Sequence, residues 1–102
     1  MDLSKEDLAE IEKVAAVAYS PREVAFILGF KVSEFIAQVK DEDSEASAAY
    51  FKGLYSSEHA VRESIMNMAR NASSPAQTMA NNLFNENRRN LIKSGFPTAG
   101  EE

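Results

Sequence analysis

The chain has 102 residues, of which 44% are hydrophobic, and its 16 acidic and 11 basic residues give a formal net charge of −5. That length predicts one small domain with a modest core. The absence of cysteine excludes disulfides, thiolate metal sites and cysteine nucleophiles. An acidic chain is also a poor candidate for coating nucleic acid non-specifically, because such binding draws on neutralised phosphates.

No apolar run approaches the roughly 20 residues that span a bilayer, and the acidic start MDLSKEDLAEIEK lacks a signal-peptide core. We therefore expect a soluble, cytoplasmic protein that does not contact membranes. Its charge is unevenly distributed, since residues 1–47 carry 11 acidic and 5 basic residues whereas residues 48–93 carry 3 and 6. A surface that faces phosphates is therefore expected in the second half or on a composite face.

Residues 4–18 predict a first, amphipathic helix. Ser4 and Asp7 have the spacing of a capping box, and Leu3 and Leu8 can pack across it as a hydrophobic staple. An apolar stripe at helical spacing indicates a face that lies across the helices that follow. The stripe consists of Leu8, Ile11, Ala15 and Ala18, with Val14 and Val17 at its edge.

Residues 20–40 have the pattern of a helix-turn-helix. Ser20 and Glu23 have the spacing of a second capping box, and Pro21 suits the first helical position between them. Gly29 suits a turn in which the backbone takes a positive φ. Two short helices around such a turn are the usual arrangement of a DNA-binding head.

The two helices of this motif each carry a predicted buried face. Ala25 is small enough to let the second helix approach, and Ser33 is expected to cap that helix. The buried positions are predicted to be Val24, Ala25, Ile27 and Leu28 on the first helix, Phe30 and Val32 in the turn, and Phe35, Ile36 and Val39 on the second.

An acidic link at residues 41–45 leads into a long predicted helix over residues 45–70, which Ser44 can cap. At 1.5 Å per residue it would span about 40 Å, more than three short helices can cover. Part of its apolar surface is therefore expected to meet another chain, although a role in the core alone explains the pattern equally well. Gly53 marks close packing or a bend. The candidate oligomerisation residues are Tyr50, Leu54, Val61, Ile65 and Met68.

Residues 71–75 break the long helix, and a short connection predicts that the last helix runs antiparallel to it. Ser74 and Gln77 have the spacing of a third capping box. Arg88 and Arg89 are placed to complement the helix dipole, and phosphate binding is the alternative role for them. The buried face is predicted at Ala76, Met79, Ala80, Leu83 and Phe84.

The pattern as a whole predicts an all-α fold, because the alternating period of a half-buried strand is absent. Residues 1–43 are expected to form a three-helix head that contains the helix-turn-helix. Residues 44–93 are expected to form a long helix and an antiparallel C-terminal helix, and this part of the chain is the expected oligomerisation region. Residues 94–102 are predicted to be a flexible tail.

Catalytic constellations are missing from the sequence. His59 is the only histidine, and it has neither a cysteine nor a second histidine with which to share a metal. The four glycines stand too far apart for a phosphate-binding loop, and the serines lack a base at a recognisable spacing. The sequence therefore predicts a protein that is not an enzyme and needs no metal or cofactor.

The order of these elements resembles the small terminase subunits of tailed phages and related phage-type DNA-binding proteins. The resemblance covers roughly residues 18–87, and it is most particular at the segment Tyr50-Phe51-Lys52-Gly53 and at the junction ARNASSPA, residues 69–76. It implies a non-enzymatic subunit that forms rings through its long helices and binds packaging-site DNA through helix-turn-helix heads. It also implies a large terminase ATPase and nuclease subunit as a partner.

Carried onto this sequence, the resemblance makes residues 33–40 the helix that reads double-stranded DNA. Gln38 can pair with adenine through both amide atoms, and Lys31 and Lys40 can meet phosphates. Because Lys40 is the only base on this helix, several heads would need to act together. The candidate DNA-binding residues are Arg22, Lys31, Ser33, Glu34, Gln38 and Lys40.

Two other functions are compatible with the same motif. A dimeric transcriptional regulator would read paired half-sites about one helical turn apart. A helical protein-interaction module would have kept the helix-turn-helix without touching DNA. The negative net charge of the chain favours this alternative, because it opposes binding to phosphates. The sequence leaves these alternatives open.

Overall fold

The computed structural model describes residues 1–96 of the chain. It confirms the all-α fold class, because those residues form five helices in the predicted order and no strand. The chain divides into two compact units, residues 1–60 (unit 1) and residues from 61 onward (unit 2), where its length predicted one small domain. The helices are α1 Lys5–Ala15, α2 Pro21–Leu28, α3 Val32–Lys40, α4 Glu45–Arg70 and α5 Ser74–Lys93.

Unit 1 has a core to which α1, α2, α3 and the first half of α4 all contribute. Ile11, Val24 and Phe35 are its largest fully buried side chains. Leu3 and Leu8 are half-buried against this core, and the capping box of Ser4 begins α1 as predicted. The remaining buried members of the core are Ala15, Ala25, Val39, Ala46 and Tyr50.

The helix α1 ends at Ala15, three residues before the predicted end at position 18. Ala18 adopts a left-handed conformation with φ of 70°, which a helix cannot continue through. Ala18 and Val17 are consequently exposed, although both were predicted to belong to the buried stripe or its edge.

The first half of α4 belongs to unit 1 because it packs directly on α1. Gly53 is buried, and a Cβ added there would overlap the backbone of Glu12. Lys52 forms an ion pair with Glu12 at 3.3 Å beside this contact. The observed boundary therefore falls at residue 60, inside α4, and differs from the predicted boundary between residues 43 and 44.

The starts of α3 and α4 are capped differently from one another. Lys31 occupies the N-cap position of α3 without a side-chain hydrogen bond, so the predicted cap by Ser33 is wrong. Ser33 lies inside the helix, one residue after its start. The predicted cap of α4 is supported, because the Ser44 hydroxyl accepts a hydrogen bond from the Ser47 backbone N–H at 3.0 Å.

Unit 2 contains the end of α4, a tight turn and α5. The turn is a Schellman motif in which the Ser73 N–H donates to the Met68 carbonyl at 3.1 Å and Ala72 takes a φ of 65°. Ser73 is the N-cap of α5, with its hydroxyl accepting from the Ala76 N–H. The predicted capping box of Ser74 and Gln77 is wrong, since the Gln77 side chain donates instead to the Ala69 carbonyl.

The buried face of α5 is narrower than predicted. Ala76 and Ala80 are buried, and Leu83 is half-buried. Met79 and Phe84 were predicted to be buried, but they are 51% and 52% exposed because no layer of unit 2 covers them within the described residues.

The helix α5 ends at a second Schellman motif, in which Gly95 has a φ of 82° and the Phe96 N–H donates to the Leu91 carbonyl at 2.9 Å. The predicted tail over residues 94–102 therefore begins with an ordered turn. Its remaining positions, 97–102, lie outside the described residues.

None of the helices in residues 1–96 combines the length and apolar content that crossing a bilayer requires.

Candidate nucleic-acid interface

The turn between α2 and α3 has the geometry predicted for a helix-turn-helix. Gly29 adopts a φ of 78°, and the Phe30 N–H reaches back to the Ala25 carbonyl at 2.9 Å. Ala25 and Phe35 are fully buried, so α2 and α3 meet through these side chains. The rings of Phe30 and Phe35 stack with centroids 5.5 Å apart and hold the turn against α3.

The opposite side of α3 faces solvent. Phe35 and Val39 point into the core of unit 1, whereas Ser33, Glu34 and Lys40 are exposed. An open polar side on the second helix is what groove contacts require of a helix-turn-helix. Four of the predicted DNA-binding residues, Lys31, Ser33, Glu34 and Lys40, thus lie exposed on α3 or at its N-cap.

Charges on this side are partly paired. Lys31 lies 4.0 Å from Glu34, with side chains that are 71% and 51% exposed. Exposed pairs of this kind contribute only about 0–1 kcal/mol, so a phosphate can compete for the lysine. Lys40 has no carboxylate partner among residues 1–96. Lys31 and Lys40 are therefore the cations of this side that can reach a phosphate.

Gln38 is less accessible than predicted. It is half-buried, and its Nε2 donates a hydrogen bond to the Met1 carbonyl oxygen at 2.8 Å. Pairing with adenine would require this bond to break first. Nothing in the sequence around either residue signals the contact, because 37 positions separate the two.

Arg22 lies on α2, with its guanidinium 5.4 Å from the centre of the Phe26 ring. Phe26 is 65% exposed, and Ile27, which was predicted to be buried, is 52% exposed. Both residues point away from the stripe formed by Val24 and Leu28. The helical period could have identified the exposed position of Phe26, since it lies about 200° around the helix from Val24.

The electrostatics of unit 1 oppose DNA binding by a single copy. Residues 1–60 hold 12 acidic and 6 basic residues. Hydrogen bonds from the backbone and side chain of Ser20 hold the pKa of Glu23 below its ordinary value, so this carboxylate stays charged at the start of α2. A single head therefore presents only a few cations to phosphates.

The predicted oligomerisation residues fall into two groups. Tyr50 is only 5% exposed, and its hydroxyl donates to the Tyr19 carbonyl at 2.7 Å. Leu54 is half-buried against the same core, so these two residues stabilise unit 1 itself, which corrects their assignment to an oligomer surface. The other three lie in unit 2, where Val61 and Met68 are more than half exposed and Ile65 is half-buried.

Unit 2 also contains an open groove of about 400 Å³ between the end of α4 and the start of α5. Ala69 and Ala80 form its small-residue floor. Its rim is mixed, since Arg70 and Gln77 stand beside apolar side chains. The remaining lining residues are Met66, Asn81 and Phe84.

Among residues 1–96, no three histidine, cysteine, aspartate or glutamate side chains gather in an arrangement that could hold a metal ion. His59, the only histidine of the sequence, lies exposed on α4. Comparisons with models of protein families, with curated proteins and with solved structures find no match to this chain.

Proposed function

We propose that this protein is a non-enzymatic DNA-binding protein of the small terminase subunit type. In this proposal, the helix-turn-helix of unit 1 contacts double-stranded DNA and unit 2 assembles several copies. The observation that carries it is the two-sided character of α3. Its inner side is buried around the left-handed Gly29, and its polar side is open along Ser33, Glu34 and Lys40.

Assembly is supported by what unit 2 leaves exposed. Among its described residues, only Ala76 and Ala80 are buried, and both are too small to supply a core. Burial of apolar surface contributes roughly 25 cal/mol per Å². A second copy that covers the exposed apolar side chains of unit 2 would therefore stabilise the unit. The large apolar side chains that are more than half exposed there are Val61, Met68, Met79, Phe84, Ile92 and Phe96.

Assembly also compensates for the weak cationic character of one head. Lys31, Lys40 and Arg22 are the phosphate contacts in this proposal, and Ser33 and Glu34 reach base edges. Several linked heads gain avidity because every later contact is intramolecular. The large terminase ATPase and nuclease subunit is the proposed partner of the assembled complex.

The test combines the mass in solution with duplex binding over a salt series. We expect an oligomer whose affinity falls as salt rises, with Lys40→Ala lowering the logarithmic salt slope by about 0.9 for every head that contacts the duplex, since each head loses one phosphate contact. Lys13→Ala is the matched control, because it removes the same charge from an exposed lysine on α1. A monomer that leaves duplex DNA unshifted at low salt would contradict the proposal.

A protein-interaction module is the second candidate, and the exposed pair Phe26 and Ile27 on α2 favours it. Exposed aromatic and aliphatic side chains beside an arginine are common at the centre of protein interfaces. In that case, Phe26→Ser would abolish capture of the partner, whereas Lys40→Ala would leave it unchanged. The DNA-binding proposal predicts the opposite ranking of these two variants in a duplex-binding assay.

A further inference from the structure

The side of α5 that points away from its buried alanines is rich in amides and cations. Asn82, Asn85, Arg88, Arg89 and Lys93 are all exposed. At 100° per residue they fall within an arc of about 140°, centred opposite Ala76 and Ala80. We call these five residues the amide-arginine face.

Among the described residues, three of the six cations of unit 1 are paired with carboxylates, whereas the three cations of this face are not. Lys13, Lys31 and Lys52 each lie within 4.0 Å of a carboxylate. Arg88, Arg89 and Lys93 form no ion pair with any residue in the described part of the chain. Arg88 donates only to the amide oxygen of Asn85, at 3.2 Å. The face therefore holds three positive charges that are not within 4.0 Å of a carboxylate in residues 1–96. Glu86, three residues before Arg89, is the one acidic residue of α5.

The asparagines on α5 are unusual for a merely solvated helix. Residues 74–93 contain five of them, of which those at positions 82 and 85 belong to the face and those at 81, 87 and 90 do not. Asparagine forms helices less readily than lysine, glutamate or glutamine, which fill solvated faces at lower cost. Side-chain amides combine a donor and an acceptor, and arginine carries a fork of donors, so both match the edges of bases.

We propose that the amide-arginine face of α5 is a second contact surface for duplex DNA, separate from α3. This inference deepens the proposed function and rests on it, since the ligand is the same duplex. Arg88, Arg89 and Lys93 neutralise phosphates, and Asn82 and Asn85 reach base edges.

Charge complementarity is the reason for choosing DNA as the occupant. Residues 61–93 contain 5 basic and 2 acidic residues, the reverse of the balance in unit 1. The face runs from position 82 to position 93, about 17 Å along α5, and its three cations meet the phosphate backbone at the C-terminal end of that stretch. The competing occupant is the acidic link, residues 41–45, of another copy, which would bind the arginines during assembly.

The experiment measures duplex affinity over a salt series for the full chain and its variants, and the mass of each in solution. Arg89→Gln should lower the logarithmic salt slope by about 0.9 for every copy that contacts the duplex, and the double variant Arg88→Gln/Arg89→Gln by about twice that, on any duplex sequence. Arg62→Gln is the matched control, because it makes the same change at an exposed arginine on α4. The masses should stay at the wild-type value.

The outcomes separate the two proposals. If Lys40→Ala weakens binding and the arginine variants do not, the second surface is overturned and the helix-turn-helix proposal stands. If only the arginine variants weaken binding, α5 is the DNA surface and the role of α3 fails. Lower mass in the arginine variants would assign the face to assembly and overturn the inference. A wild-type chain that binds no duplex overturns both.

Discussion

Gly53 of α4 lies directly on the backbone of Glu12 in α1. A Cβ at Gly53 would overlap the Glu12 carbonyl oxygen and come within 2.9 Å of its carbonyl carbon. The helices approach this closely only because residue 53 has no side chain. Beside the contact, the ion pair of Lys52 and Glu12 spans the same two helices. Close packing, one of the two predicted roles of Gly53, is therefore the observed one.

Gly53→Ala is expected to destabilise unit 1, although alanine is the better helix former by about 1 kcal/mol. Overpacking against a backbone that cannot move aside typically costs about 1–3 kcal/mol. Urea denaturation followed by circular dichroism measures the difference. Lys52→Ala is the control, because it removes only the exposed ion pair and should cost less than about 1 kcal/mol. An unchanged or higher midpoint for Gly53→Ala would contradict the contact.

Tyr50→Phe removes the hydrogen bond to the Tyr19 carbonyl, which ties α4 to the loop before α2. We expect a loss of about 1 kcal/mol in the free energy of unfolding at neutral pH. Tyr55→Phe is the matched control, since Tyr55 is 60% exposed. Equal stability of the two variants would show that the hydrogen bond contributes nothing.

The same tyrosine predicts a dependence on alkaline pH. Burial, with a smaller contribution from the charge of Glu23, raises the pKa of Tyr50 above its ordinary value. Above about pH 10, the unfolded chain loses this proton while the folded chain retains it, so stability falls as the pH rises. Unfolding measured from pH 8 to 11 should therefore decline more steeply in the wild type than in Tyr50→Phe. Parallel declines would exclude this linkage.

Ala72→Gly is expected to stabilise the turn between α4 and α5. Ala72 holds a φ of 65°, a conformation that costs a residue with a Cβ roughly 1–2 kcal/mol and costs glycine much less. The greater freedom of glycine in the unfolded chain reduces the net gain to about 1 kcal/mol or less. Ala60→Gly, at an exposed position inside α4, is the control and should lower stability by about 1 kcal/mol. A loss in both variants would contradict the left-handed assignment.

Glu23→Gln is expected to weaken the start of α2 in a pH-dependent manner. Because the hydrogen bonds from Ser20 lower the pKa of Glu23, its charge stabilises the fold above the ordinary glutamate pKa. That contribution is lost as the pH falls through the lowered pKa of the folded state. The difference in unfolding free energy between wild type and Glu23→Gln should thus shrink from pH 7 toward pH 3. Glu58→Gln, an equal change of charge in the middle of α4, should show a smaller difference at pH 7.

The parts of the fold that were predictable from the sequence are those set by neighbouring residues. The capping boxes of Ser4 and Ser20 formed as expected, Gly29 took its positive φ, and α4 occupies the predicted residues 45–70. Each depends on hydrogen bonds or steric limits within a few positions of the chain. The N-cap of α3 lies two residues before the predicted Ser33, and the N-cap of α5 lies one residue before the predicted Ser74. Helix ends are commonly uncertain by one or two residues.

The candidate site was predictable only in part. Ser33, Glu34 and Lys40 were chosen by the family resemblance, and they are exposed on α3. Helical periodicity agrees with that exposure, because it predicts the buried positions of α3 elsewhere. It could not place Met1 against Gln38, because that hydrogen bond joins residues far apart in sequence. The assignment of Tyr50 to an oligomer surface failed for a related reason. A helical stripe shows which residues seek burial but not which partner buries them.

The sequence by itself determined the five helices, the capping boxes of Ser4 and Ser20 and the left-handed turn at Gly29, because these follow from interactions within one or two helical turns. Only the tertiary structure decided that α4 divides between two units and that Gly53 is the point where α1 touches it. It alone also decided that Met79 and Phe84 stay exposed. Burial depends on which surfaces meet in the folded protein. The order of residues along the chain does not show how close two distant segments lie in space.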